Sequence, residues 1–204
     1  MEFQIIAGEP CLDFINTLDN RPLPQLHKEL LSTYQDLAEF AEQAGLIGSA
    51  KRRRLLRAAE AQPAHAMHSL RKAVEFRECL YRIFSTRLKK RKPSSADIAQ
   101  FNRFHGEALS NLQLAVHGRG FRPEWREASE PRLDSILWPV VKSAGDLLTG
   151  KDLERVRECK SPSCRWLFID RSKNHSRRWC DMSVCGNRVK ARRFYRRQRA
   201  RSGQ

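Results

Sequence analysis

Before Gly150, apolar residues recur mostly at intervals of three and four, the spacing of helices that turn one face to a core. In TYQDLAEFAEQAGLI they fall at Leu37, Phe40, Ala41, Ala44 and Leu46, with Gly45 and Gly48 as stop signals. A strongly basic helix is predicted from Ser49 to Gln62, ending at Pro63. The longest is predicted from about His65 to Arg91, where Leu70, Val74, Arg77, Tyr81, Phe84 and Leu88 form one stripe that contains an arginine. SSADIAQFNRFHGEAL reads as a further helix with Ser94 or Ser95 as its N-cap.

The period then switches to two. Leu112, Leu114 and Val116 alternate, HGRG supplies a turn, and Phe121 and Trp125 lie on the return leg, which predicts a small β-hairpin. LDSILWPVVKSAGDLLT returns to helix, with Ile136, Leu137, Val140, Val141, Ala144, Leu147 and Leu148 on one face, a kink expected at Pro139 and a stop at Gly150. Lys151 to Val156 reads as a connector. The fold class is mainly α: a helical N-terminal domain over 1–150 with one small hairpin, then a short module over 155–201.

Charge separates the two parts. The chain has 204 residues and a net charge of +16. Residues 155–204 hold 16 Lys+Arg and 3 Asp+Glu, a net of +13, which leaves 23 basic and 20 acidic residues, a net of +3, before them. Such a cationic module points to a polyanion, nucleic acid first. No window approaches the roughly 18 to 20 apolar residues of a membrane span, and the start lacks a signal-peptide pattern. A cytoplasmic protein without membrane contact is expected, where paired cysteines serve as metal ligands more often than as disulfides.

Four of the six cysteines, Cys159, Cys164, Cys180 and Cys185, form two Cys-x4-Cys pairs separated by fifteen residues. Four thiolates at this spacing suit a structural Zn²⁺ with no open coordination position. Buried thiols or disulfides are the plainer reading, and His175 is an alternative ligand. Cys11 and Cys79 have no partner at ligand spacing and read as small core residues. Between the pairs, Arg165 to Asp170 is strand-like and Arg177-Arg178-Trp179 leads back, so a zinc-clamped β-hairpin followed by a helix, treble-clef-like, is expected. The module is too short to fold on its own core, and zinc would hold it. Loss of Cys185 should therefore unfold the last quarter while the helical domain stays folded.

On a helix from about Asn187, Ala191, Phe194, Tyr195 and Gln198 share a stripe that would dock on the zinc hairpin. Arg188, Lys190, Arg192, Arg193, Arg196 and Arg197 cover the rest of the circumference, and Arg177 and Arg178 lie beside the second cysteine pair. These eight are the candidate nucleic-acid-binding residues, since guanidinium groups engage phosphates and reach base edges. A solvated basic tail is the plainer alternative.

CDMSVCGNRVKARRF resembles the CGNR zinc-finger family, whose tetrapeptide stands here as Cys185-Gly186-Asn187-Arg188, and the likeness extends back through CRWLFIDRSKNHSRRWC. LDFINTLDNR, LRKAVEFRECLYRIF and LLTGKDLERVREC are similar to the ABATE domain that accompanies CGNR modules in bacteria. The resemblance implies a bacterial, stress-linked transcription regulator with an N-terminal regulatory domain and a zinc-dependent module that binds double-stranded DNA. The family's zinc ligands carry over onto Cys159, Cys164, Cys180 and Cys185.

A regulator needs an input. Asn16, in LDFINTL, and Arg77, within an apolar stripe, are candidates for binding a small acidic effector, because a buried arginine needs a carboxylate or anionic ligand. An internal Asp13–Arg77 salt bridge, or Arg77 snorkelling to water, is the alternative. A homodimer would suit a reader of two half-sites. RNA or ribosome binding is the runner-up, since basic modules with exposed aromatics stack bases. The chain shows no phosphate loop, HExxH or convincing catalytic triad, and no enzymatic activity is expected.

Overall fold

The computed structural model describes residues 2–126 and 130–201, excepting the side chains of residues 193, 197 and 199–201. It is mainly helical with three two-stranded antiparallel ribbons among the described residues. The chain opens with α1 (Pro10–Ile15), which starts on proline and is buried from Cys11 through Ile15. A minimal ribbon pairs β1 (Leu18–Asp19) with β2 (Lys28–Glu29). α2 (Tyr34–Gln43) is fixed at its start by a capping box: Thr33 Oγ1 accepts from the Asp36 N–H, and Asp36 accepts from the Thr33 N–H at 2.8 Å. Gly45, at φ +69°, then turns the chain in the left-handed region.

α3 (Ser49–Ala61) stops where expected, and Pro63 goes on to begin α4 (Pro63–Leu88), since its missing N–H is harmless at a helix start. α4 touches α1, α2, α3 and α5 and is the central helix. It buries Ala66, Ser69, Ala73, Phe76, Leu80 and Ile83 together with Arg77 and Phe84. The buried stripe therefore lies one residue before the one the sequence predicts, leaving Leu70, Val74, Tyr81 and Leu88 at its margin. α5 (Ser95–Leu109) is capped by Ser94, whose hydroxyl accepts from the Asp97 N–H at 3.1 Å. β3 (Leu112–His117) and β4 (Gly120–Trp125) form the predicted hairpin around Gly118. A 3₁₀ turn over Leu133–Leu137 leads into α6 (Trp138–Thr149), so Pro139 begins this helix and does not kink it.

At the centre, Phe14 lies 5.6 Å from Phe40 and 6.5 Å from Phe76, and Phe76 lies 4.7 Å from Phe104, measured between ring centroids. The same core continues into the C-terminal part. β5 (Val156–Glu158) pairs with β6 (Leu167–Ile169), and Val156, Leu167, Phe168 and Ile169 are all buried. β6 is stitched to the first helix region: the Ile169 N–H donates to the Ala7 carbonyl at 2.8 Å. Asn16 closes a two-way clip, accepting from the Leu167 N–H and donating to the Leu167 carbonyl, both at 2.9 Å. The expectation that the helical domain keeps its fold when the last quarter is lost does not suit this arrangement, because part of its core is built from β5 and β6. No helix among the described residues is long and apolar enough to cross a membrane.

Candidate metal centre and nucleic-acid interface

Two short elements bring the cysteines together. Cys159 directly follows β5, and Cys164 lies in the loop that returns to β6, where the Cys159 N–H donates to the Trp166 carbonyl at 2.8 Å and the Cys164 N–H to the Ser161 carbonyl at 3.1 Å. Cys180 and Cys185 bracket Asp181, whose side chain accepts from the Val184 N–H at 2.9 Å and caps a wide π-type turn, Met182–Gly186. That turn runs directly into α7 (Asn187–Arg201).

The donor set fits zinc. All four sulfurs are buried and lie within 4.8 Å of one another. Cys164 and Cys180 Sγ are 3.6 Å apart, and Cys180 and Cys185 Sγ 3.7 Å. A tetrahedron with Zn–S of about 2.3 Å has edges of about 3.8 Å, whereas a disulfide needs about 2.05 Å. Hydrogen bonds from Cys164 and Cys180 hold the Cys159 thiol below its ordinary range, while the same contacts push Cys164 and Cys180 up and burial pushes Cys185 up, so a bound cation is what would ionise all four. The four cysteines are thus the zinc ligands, and the site is closed by protein sulfur. His175 stands outside it, turned 3.3 Å from the Asp170 carbonyl. Cys11 and Cys79 are buried apart from it, and burial pushes their thiols up to about 12 and about 11.

The strand pairing differs from the expected one. β6 pairs with β5, ahead of the first cysteine, and not with the segment before the second pair. Asp170, fully buried, is the reason: it accepts from the Ser172 N–H at 3.0 Å, the Ser172 hydroxyl at 2.5 Å and the Arg177 N–H at 2.9 Å. These bonds close residues 171–177 into a compact loop. Asp170 was legible only as the last residue of a strand.

Arg177 is half-buried and braces the metal loop: its guanidinium lies 4.5 Å over the Phe168 ring, Nε donates to the Trp179 carbonyl at 3.0 Å and Nη2 to the Cys180 carbonyl. Arg178, Arg188, Lys190, Arg192 and Arg196 are exposed. Arg188 also reaches the Ser163 hydroxyl at 3.5 Å, beside the first cysteine pair. The side chains of Arg193 and Arg197 lie outside the described residues.

The expected docking of the Ala191, Phe194, Tyr195 and Gln198 stripe is overturned as well. Phe194 and Tyr195 are 58% and 66% exposed and pack edge to face on each other at 5.8 Å. β6 has already spent its apolar side chains on the helical core, so the metal module offers α7 little to dock against.

Asn16 and Arg77 are not an effector site in this structure. Asn16 is committed to Leu167. Arg77 is 1% exposed and pairs bidentately with Glu29 at 2.6 Å for each bond, with Nε on Glu78 at 2.8 Å and Nη1 on Thr17 at 3.2 Å. Its charge is compensated by internal carboxylates, as burial demands. The Asp13–Arg77 bridge does not form either: Asp13 Oδ1 accepts from the N–H groups of Ile6 and Ala7 at 2.9 and 2.8 Å.

Comparison with known families finds two matches along the chain. Residues 8–151 match the ABATE family, described as "Putative stress-induced transcription regulator", and residues 155–198 match the CGNR zinc finger. No curated protein matches the chain. By the extent of the first match and the four-sulfur site that accompanies the second, the chain belongs to the ABATE family and carries a CGNR zinc finger at its C-terminal end.

Proposed function

We propose that this protein is a DNA-binding transcription regulator in which zinc fixes the root of α7 and leaves the helix free to enter a groove of duplex DNA. The observation that carries the reading is α7 itself, which is anchored at Cys185 and displays Arg188, Lys190, Arg192 and Arg196 to solvent. Cations so arranged along a helix engage phosphates on both walls of a groove and direct a few side chains to base edges. Zinc serves as a scaffold, since four sulfurs leave no coordination position for catalysis.

The regulatory input is assigned to a cleft of about 550 Å³ walled by Lys51, Arg54, Leu55, Arg132, Ser135 and Trp138, a size that suits a small ligand. The exposed Phe194–Tyr195 pair supports a second reading, stacking on unpaired bases of RNA. Fluorescence anisotropy of the zinc-loaded protein with its own upstream promoter, a scrambled duplex and a structured RNA separates them. Preference for the promoter is expected. Tighter binding to the RNA would promote the second reading, and equal binding to both duplexes would leave a polyanion binder without sequence preference.

A further inference from the structure

The β3–β4 hairpin has one wholly apolar face. Residues opposite each other in an antiparallel pair point to the same side, and the register sets Leu112 against Trp125, Leu114 against Pro123 and Val116 against Phe121. Among the described residues, only the base of this face is covered, where Trp125 packs 5.8 Å from Trp138. Toward the tip, Leu114, Val116 and Phe121 are 75%, 75% and 74% exposed, and Pro123 is exposed beside them. A lone two-stranded hairpin is marginal in water unless its apolar face is packed. Single exposed apolar residues are ordinary, but four adjacent ones on one face mark a contact surface.

We infer that this face is a dimer interface, occupied by the same face of a second copy of the chain. Three features favour a second copy over an unrelated partner. The face carries no charge and, apart from the base tryptophan, no side-chain hydrogen-bonding group, so it complements only another apolar surface, and an identical hairpin supplies one of equal size. The chain carries +16, yet residues 112–125 contain only two arginines and one glutamate. Of these, Arg122 is paired with Glu124 at 2.6 Å. Repulsion between two cationic copies is therefore small at this point, whereas an acidic partner would be drawn to the last quarter of the chain instead. Two such faces cover on the order of 1,000 Å² in total, the lower end for a specific interface. The dimer is isologous, with Val116 and Phe121 of each copy against the tip of the other.

This inference does not rest on the DNA reading and is tested without nucleic acid. Sedimentation velocity of the zinc-loaded full-length protein in about 0.5 M salt, where long-range charge is screened, should show monomer passing to dimer between about 1 and 100 μM. The double variant Val116→Lys/Phe121→Lys should remain monomeric throughout with an unchanged circular dichroism spectrum, since both side chains are three-quarters exposed in the monomer. Gln113→Lys, on the opposite face of the same strand, should dimerise like wild type. Wild type that stays monomeric at the highest concentration overturns the inference. So does a Val116→Lys/Phe121→Lys protein that associates like wild type, or a Gln113→Lys protein that dissociates as fully as the double variant.

Discussion

Asp13 shows how a residue that reads as a ligand-binding group can serve the fold. It lies on α1 among buried neighbours, and one oxygen satisfies the N–H groups of Ile6 and Ala7. Burial raises its pKa from the usual carboxylate range to about 6, against the lowering effect of those two hydrogen bonds. The folded state therefore binds this proton more tightly than the unfolded chain does. Its contribution to stability is fullest below the ordinary aspartate pKa near 4 and is lost as pH rises through about 6, a difference of about 3 kcal/mol. Asp13→Asn keeps the acceptor without the buried charge. By chemical denaturation the variant should be more stable than wild type at pH 7, with the gap narrowing by about half at pH 5; a gap that does not change with pH would refute this account of Asp13. Arg77 follows the same logic in the opposite sense, since its charge is retained because Glu29 and Glu78 meet it.

At the scale of elements, the legible parts were those set by local rules. Ser94 ahead of α5 and the alternation from Leu112 to Trp125 each announce their element, because a cap or a period-two pattern is written in a few adjacent residues. The zinc ligands were equally plain, because the spacing of cysteines states the chemistry directly. What could not be read was choice of partner. Leu167-Phe168-Ile169 looks like a strand from its residues alone, but nothing local says that it pairs with Val156–Glu158 and not with the segment after it. The two-way bond from Asn16 spans 151 positions and leaves no periodic trace. The stripe on α4 was misplaced by one residue for a related reason: a helix packed against four others buries a broad face, and the centre of that face is decided by its neighbours. Phe194 and Tyr195 misled because their spacing suits docking, while β6 had no apolar surface left to offer.

Across the whole molecule, the metal site and the helical core form one connected body. Ile169 bonds to Ala7, Leu167 to Asn16, and β5 touches α4. Zinc can contribute on the order of 10 kcal/mol to a small metal module, and here that energy is coupled to β5 and β6 and through them to the core. With about a third of that energy reaching the core, removing zinc with a chelator should lower the thermal midpoint of the helical signal by on the order of 10 °C, since each kcal/mol moves a chain of this size by about 2 to 4 °C. Two separate transitions, with the larger one unmoved by the chelator, would show that the parts are independent.

The most direct test of the central claim, that zinc holds α7 ready for duplex DNA, is the salt dependence of binding to a promoter duplex, measured by anisotropy for wild type and for Arg188→Ala/Lys190→Ala/Arg192→Ala. If five or six phosphates are engaged, log affinity should fall against log salt with a slope of about −5, a loss of about a thousandfold between about 50 and 200 mM. The triple variant should bind more weakly with a slope shallower by about 2 to 3. A flat profile in wild type, or an unchanged slope in the variant, would contradict the account.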